Sequence, residues 1–403
     1  LLALVREQTP GKPFQHMMII GPRGMGKTTL GLRLLIAIKE DSELAEQWQP
    51  IPFFEESYGV HDLASFWLTA LRHLSETVGD DKWAARAEEL EARERNPERL
   101  TAYAEAALQD YCKESGKRLA FFVENIDSIF DQFPDESGSY ALRANLIAQN
   151  QILLVGSANT VFDLIRQHGE AFYEFFRLFI LEGLDSEETM RVLKKLAVLE
   201  GNTHVAENLA RESGRIETIR RLTGGNPRLM ALAYRMLRDS PLGSAREDLE
   251  QLFDEQTPYF KARLDDLPKQ ARRLFHCLAS GWKPLLAREA AKAARLSSSH
   301  TSAQLKQLVA MGFAREVKLP RAKKVRYDVS DRFYNIYYLL RFSRSGRQRL
   351  ERLIAFLNDL FGPVGIRRVY GATLDAIRTG KHASGDVTDT LNVLAGYVAK
   401  DTE

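Results

Sequence analysis

The octapeptide GPRGMGKT, Gly21 to Thr28, constrains this chain more than any other feature. It fits the spacing G-x-x-x-x-G-K-[ST] and stands between an apolar run, His16–Ile20, and a stretch with helical periodicity, Lys27–Lys39. Glycines let successive backbone amides turn inward without Cβ interference, and amides arranged in this way cradle phosphate. Lys27 is expected to reach the β- and γ-phosphates and Thr28 to offer its hydroxyl to Mg²⁺, while the helix that starts here adds its N-terminal dipole. The phosphate-contacting set is then Gly21, Pro22, Arg23, Gly24, Met25, Gly26, Lys27, Thr28 and Thr29, and the ligand expected is ATP with Mg²⁺.

Beyond this loop, strand-like and helix-like segments alternate. Ile51–Phe54, Leu119–Val123, Ile152–Val155 and Leu178–Leu181 read as strands. Between them, Asp62–Thr77 reads as an amphipathic helix capped by Asp62, and Lys82–Tyr111 reads as helical throughout. Strands separated by helices predict a parallel sheet covered on both faces. From Ser186 the pattern turns all-helical. Ser186 and Thr189 stand at a helix start with Glu187 and Glu188 at its positive end, and a second helix restarts at Pro227 after Gly224–Gly225.

A phosphate site of this kind needs an acid at the end of a second strand, aimed at the metal. Glu124, after Leu119–Val123, is the candidate, with Thr28 as the other metal ligand; Asn125 and Asp127 come next in the chain. The usual second acid is replaced by Asn125, and an amide cannot accept a proton near neutral pH. Hydrolysis is therefore expected to be slow, Asn125→Glu to raise turnover, and Asp127 to be the next candidate base.

This order of motifs resembles the AAA+ and STAND classes of P-loop ATPase, and within them the branch of the replication-initiator ATPases. The resemblance runs over about residues 15 to 340. It implies a P-loop NTPase parallel sheet flanked by helices (1–184), a helical lid (185–256), a winged helix-turn-helix (257–345) and a helical C-terminal segment (346–403). It also implies roles for three further residues. In LLVGSAN (Leu153–Asn159), Asn159 matches the polar sensor, with Ser157 second. In GGNPR, Arg228 matches a second sensor that reads the γ-phosphate. Arg177, before the last strand, matches an arginine finger that serves a neighbour in a homo-oligomer.

Charge is uneven. Between Pro258 and Arg344 stand 19 Lys or Arg and 6 Asp or Glu, a net of +13 in a chain whose total is +2, so the remainder carries −11. A segment this basic suits nucleic acid; the alternative is a face that docks on the acidic remainder of the same chain. Its pattern is two short helices, a third over Ser297–Met311, and a hairpin around Pro320–Lys324, the order of a winged helix. His300 and Lys306 would face a major groove of double-stranded DNA, and Arg321, Lys323, Lys324 and Arg326 would touch phosphates from the wing. Phe333, Tyr334, Tyr337 and Tyr338 read as core.

Two cysteines, Cys112 and Cys277, exclude a disulfide framework and a Cys-rich zinc module, and eight scattered histidines form no metal cluster. No apolar run approaches the ~20 residues that span a bilayer, so no membrane partner and a cytoplasmic location are expected. The chain begins with Leu, and its N-terminus is expected to be incomplete. Two functions fit: an ATP-binding switch with weak ATPase activity that controls DNA binding, and a STAND-type regulator. In the second, ATP controls oligomerisation, and the winged helix and C-terminal helices contact protein.

Overall fold

The computed structural model describes residues 1–8, 12–53, 59–202, 213–239, 253–318, 324–342, 346–378 and 393–395. It divides into two units: Leu1–Pro22 with Gly26–Leu181, and Arg23–Met25 with Glu182–Glu403.

The first unit is built on five parallel strands, β1 (His16–Ile20), β2 (Trp48–Phe53), β3 (Arg118–Val123), β4 (Ile152–Ala158) and β5 (Phe176–Ile180), in the order β2-β3-β4-β1-β5. Phe54, the end of the second expected strand, lies outside the described residues. Buried side chains alternate between the two faces. Met17, Ile19, Phe122 and Val155 pack with the helix Lys27–Glu40. Met18, Ile20, Phe121 and Leu154 pack with the helices Leu63–Val78 and Pro97–Ser115. The expected Lys82–Tyr111 helix is two helices, Lys82–Arg93 and Pro97–Ser115, because Asn96 caps a new start and Pro97 occupies its first turn. Asp62 caps Leu63–Val78 as expected, its carboxylate accepting from the Ser65 amide at 2.7 Å.

Within β1, His16 is buried and its Nδ1 accepts from the Leu154 amide at 3.1 Å. Burial pushes its pKa from 6.5 down to about 3. The unfolded chain therefore binds a proton between about pH 6.5 and 3 that the folded chain refuses, so this residue lowers stability as pH falls through that window. Urea midpoints at pH 7.5 and 5.0 should fall more steeply for the wild type than for His16→Asn; equal slopes would remove His16 as a cause.

In the second unit, helices at Ser186–Leu199, Ser213–Thr223, Pro227–Asp239 and Thr257–Asp265 precede Lys269–Ser280, Ala287–Ala294 and Ser298–Ala310. An antiparallel sheet of β6 (Leu285–Leu286), β8 (Arg326–Val329) and β7 (Ala314–Val317) has the order β6-β8-β7. The helices Arg332–Phe342 and Gly346–Arg378 close the described part, the latter interrupted at Gly362 as its Gly-Pro pair predicts. One apolar core runs through all of these, from Leu193 and Leu229 through Phe260, Phe275 and Leu305 to Tyr334 and Leu357. Phe333, Tyr334, Tyr337 and Tyr338 are buried in it, as expected. The first helix begins at Ser186 as expected; Asp185 caps it, accepting from the Glu188 amide, and Glu188 returns a bond to the Asp185 amide. Among the described residues no helix is long and apolar enough to cross a membrane.

Candidate nucleotide site

The carboxyl ends of β1, β3 and β4 bring three short segments of the first unit together. Because β4 lies between β1 and β3, its terminal residues stand between the glycine-rich loop and the acidic turn. The loop leaves β1 with the Gly21 amide bonded to the Ala158 carbonyl at 3.1 Å. Gly24 and Gly26 both sit at positive φ, +86° and +89°, where an L side chain is strained, and Lys27 opens the helix. That helix lies hard against β3: a Cβ on Gly31 would fall 2.0 Å from the Phe122 ring. Glycine at position 31 thus sets how closely Lys27 and Thr28 approach the strand that ends in Glu124.

Lys27 is only 6% exposed. Its ammonium donates to the Gly21 carbonyl at 2.7 Å and to Asn159 Oδ1 at 2.9 Å. The Thr28 hydroxyl donates to the Glu124 carboxylate. Ser157 is fully buried, and its Oγ accepts from the Asn125 amide at 3.3 Å, so it holds the acidic turn in place.

Asn125 adopts φ +49° at the start of the short helix Ile126–Phe130. This left-handed conformation is one that Asn tolerates better than Glu. The amide at this position therefore has a backbone reason that the sequence pattern does not reveal. Asp127, two residues on, has a buried Oδ1 without a hydrogen-bond partner. Desolvation raises its carboxyl pKa, while the Lys27 charge pulls in the opposite direction.

These residues fit a nucleotide with its cation. Thr28 and Glu124 place two hard oxygen donors side by side, and Mg²⁺ is usually held by one or two protein oxygens plus phosphates and water. Among the described residues there is no cluster of three or more His, Cys, Asp or Glu to hold a metal by itself. Burial raises the pKa of the Cys277 thiol.

Other expected residues are placed differently. Arg177 is exposed near the start of β5 and is in register with Met17, three residues before the end of β1, so it lies about 10 Å back from the loop end of the sheet. The loop crest, Arg23–Met25, groups with the second unit. There the Arg23 guanidinium bonds both oxygens of Asp266, at 2.9 and 3.4 Å, and is not free for phosphate. The Arg23 carbonyl accepts from Asn226 Nδ2 and the Tyr259 hydroxyl at 3.2 and 3.3 Å. The Arg228 amide donates to the Gly24 carbonyl at 3.3 Å, and its guanidinium lies 4.6 Å over the Tyr259 ring. Asn226, Tyr259 and Asp266 have no signal in the sequence, because their roles come from contacts more than 200 residues apart.

In the basic segment His300, Lys306 and Lys324 are exposed. Arg326 is half-buried and partnered, donating to the Pro284 carbonyl at 2.9 Å and to Glu289 at 3.3 Å. Arg321 and Lys323 lie outside the described residues.

No protein-family profile and no curated protein matches the chain. Solved structures do. The Walker-type ATPase of Pyrococcus abyssi is similar at TM-score 0.53 and 14% identity, over 85% of this chain and 94% of that one. The ORC1 protein of Aeropyrum pernix, solved in complex with DNA, is similar at TM-score 0.40 and 14% identity, over 83% and 88%. A STAND protein with a tetratricopeptide-repeat sensor from Pyrococcus horikoshii is similar at TM-score 0.31 and 13% identity, over 93% and 47%. What the chain shares with the Pyrococcus abyssi ATPase is its fold, and the P-loop NTPase architecture expected from the sequence is the architecture it has.

Proposed function

We propose that this chain is an ATP-binding switch that hydrolyses ATP slowly and controls binding to double-stranded DNA. The observation that supports it best is the convergence of buried Lys27, Asn159 and the Thr28–Glu124 pair at the carboxyl ends of three parallel strands. In this reading the backbone amides of Arg23–Thr28 and the Lys27 ammonium hold the phosphates, with Gly21 and Pro22 leading the chain into the loop. Thr28 and Glu124 hold Mg²⁺, which when bound neutralises phosphate charge. Residues 1–184 form the ATPase core, 185–256 a lid, 257–345 a winged helix-turn-helix and 346–403 a C-terminal helical segment. Arg228 reads the γ-phosphate, and Arg177, set back from its own loop, serves a neighbour in a homo-oligomer.

Asp127 is the better candidate base. It is a carboxylate with a raised pKa and an unpartnered buried oxygen, whereas Asn125 cannot take a proton. Basal turnover should be below about one per second, slow for an enzyme. Asp127→Asn should lower it about 100-fold or more, the scale of a lost general base, with ATP affinity retained. Asn125→Glu should not raise turnover, and should cost about 1 kcal/mol of stability through its backbone conformation. Phosphate release under saturating ATP decides between them: unchanged turnover in Asp127→Asn with a gain in Asn125→Glu would reverse the assignment.

The rival reading is a STAND-type regulator whose winged helix contacts protein. It is favoured by the exposed side of Ser298–Ala310, where Ser302, Ala303 and Gln307 accompany a single lysine, Lys306. A salt series of duplex binding separates the two, since phosphate contact is salt-dependent and small-residue docking is not.

A further inference from the structure

The helix Ala287–Ala294 is divided sharply between its two sides. Ala290, Ala291 and Ala294 are buried, and side chains this small let the helix lie close to its neighbours. Arg288, Lys292 and Arg295 are exposed. Arg288 and Lys292, four residues apart, share one side of the helix, and Arg295 follows directly at its left-handed C-cap, φ +52°. The only acid of this helix, Glu289, is committed inward, accepting from the Leu286 amide at 2.8 Å and from Arg326 at 3.3 Å. None of the three cations has an acidic partner among the described residues. Lys283 is exposed in the preceding turn.

We infer that Arg288, Lys292 and Arg295 form a phosphate-contacting edge for double-stranded DNA, and that this helix, not Arg326 of the wing, carries the main electrostatic contact. The inference rests on the DNA-binding reading above and assigns its surface. Three neighbouring exposed cations suit the regularly charged backbone of a duplex, and arginine presents a planar fork that matches phosphate oxygens. Such contacts fix position without reading sequence, so affinity gained here should be the same for unrelated duplexes.

The test uses the full chain with ATP and a fluorescent duplex of arbitrary sequence, titrated over a salt series. Arg288→Gln, Lys292→Gln and Arg295→Gln combined should reduce the log–log salt slope by about 2.7, about 0.9 for each contact, on two unrelated duplexes alike. ATP affinity should not change. Lys292→Gln alone, expected to lower the slope by about 0.9, serves if the triple variant folds poorly. A wild type that binds DNA and variants that keep its slope would overturn this surface and leave the DNA reading standing. A wild type with no salt-dependent duplex binding would overturn both.

Discussion

Lys27→Ala is expected to abolish ATP binding in a chain that remains folded. The ammonium is buried between the Gly21 carbonyl and Asn159 Oδ1. A charge-assisted contact to phosphate in such a site is worth roughly twice a neutral hydrogen bond, and the lysine is the cation expected to reach both the β- and γ-phosphates from the loop itself. Affinity should fall by about 100-fold or more, the equivalent of about 2.7 kcal/mol. The fold should survive, because the sheet core beneath the loop does not include this side chain. Calorimetric titration with ATP and Mg²⁺, alongside a thermal melt, decides the matter. Undiminished affinity in the folded variant would remove the nucleotide reading altogether.

The largest stability effect is expected at Arg263. Its side chain is 3% exposed and lies 3.8 Å from the Asp331 carboxylate, itself 2% exposed. It also donates to the Tyr259 hydroxyl and the Gly312 carbonyl, both at 3.2 Å, and sits over the rings of Phe313 and Tyr334. Burial pushes the Asp331 carboxyl up to about 6 even with this cation beside it. Arg263→Met leaves that carboxylate buried without its counter-charge, which typically costs about 3–5 kcal/mol. Arg263→Met with Asp331→Leu removes both charges and should recover most of the loss, since an apolar pair of similar volume often replaces a buried ion pair at little net cost. Urea unfolding of the two variants measures the difference. A single variant within about 1 kcal/mol of wild type would mean that the pair is hydrated and that no buried charge is at stake. The same network reaches the loop crest, because Tyr259 donates to the Arg23 carbonyl as well as accepting from Arg263.

Much of the candidate nucleotide site was legible in the order of residues because its parts are local. Two positive-φ glycines, a lysine and a threonine within eight positions specify a turn between strand and helix. Alternating strands and helices announced the parallel sheet, and Glu124 and Asn159 could be found because each ends a recognisable apolar strand. The broken helix at Pro97 was local too, and was misread because a helix-forming composition outweighed one proline.

Other features required the folded chain. Asn125 read as a lost base, but its meaning depends on a φ of +49° that residue identity alone does not state. The sequence could not show that the Arg23 guanidinium is paired with Asp266, 243 positions away, which leaves its backbone for phosphate. Arg326 read as a wing cation until Glu289 took its charge, while Arg288, Lys292 and Arg295 gained significance only when the alanine side of their helix was buried. Short-range rules of turn, period and strand end thus determined where the phosphate loop and its acid lie. Which charges remain free to meet a partner was decided by tertiary packing, because a charge is neutralised by whatever group the fold brings within a few ångströms, however distant in sequence.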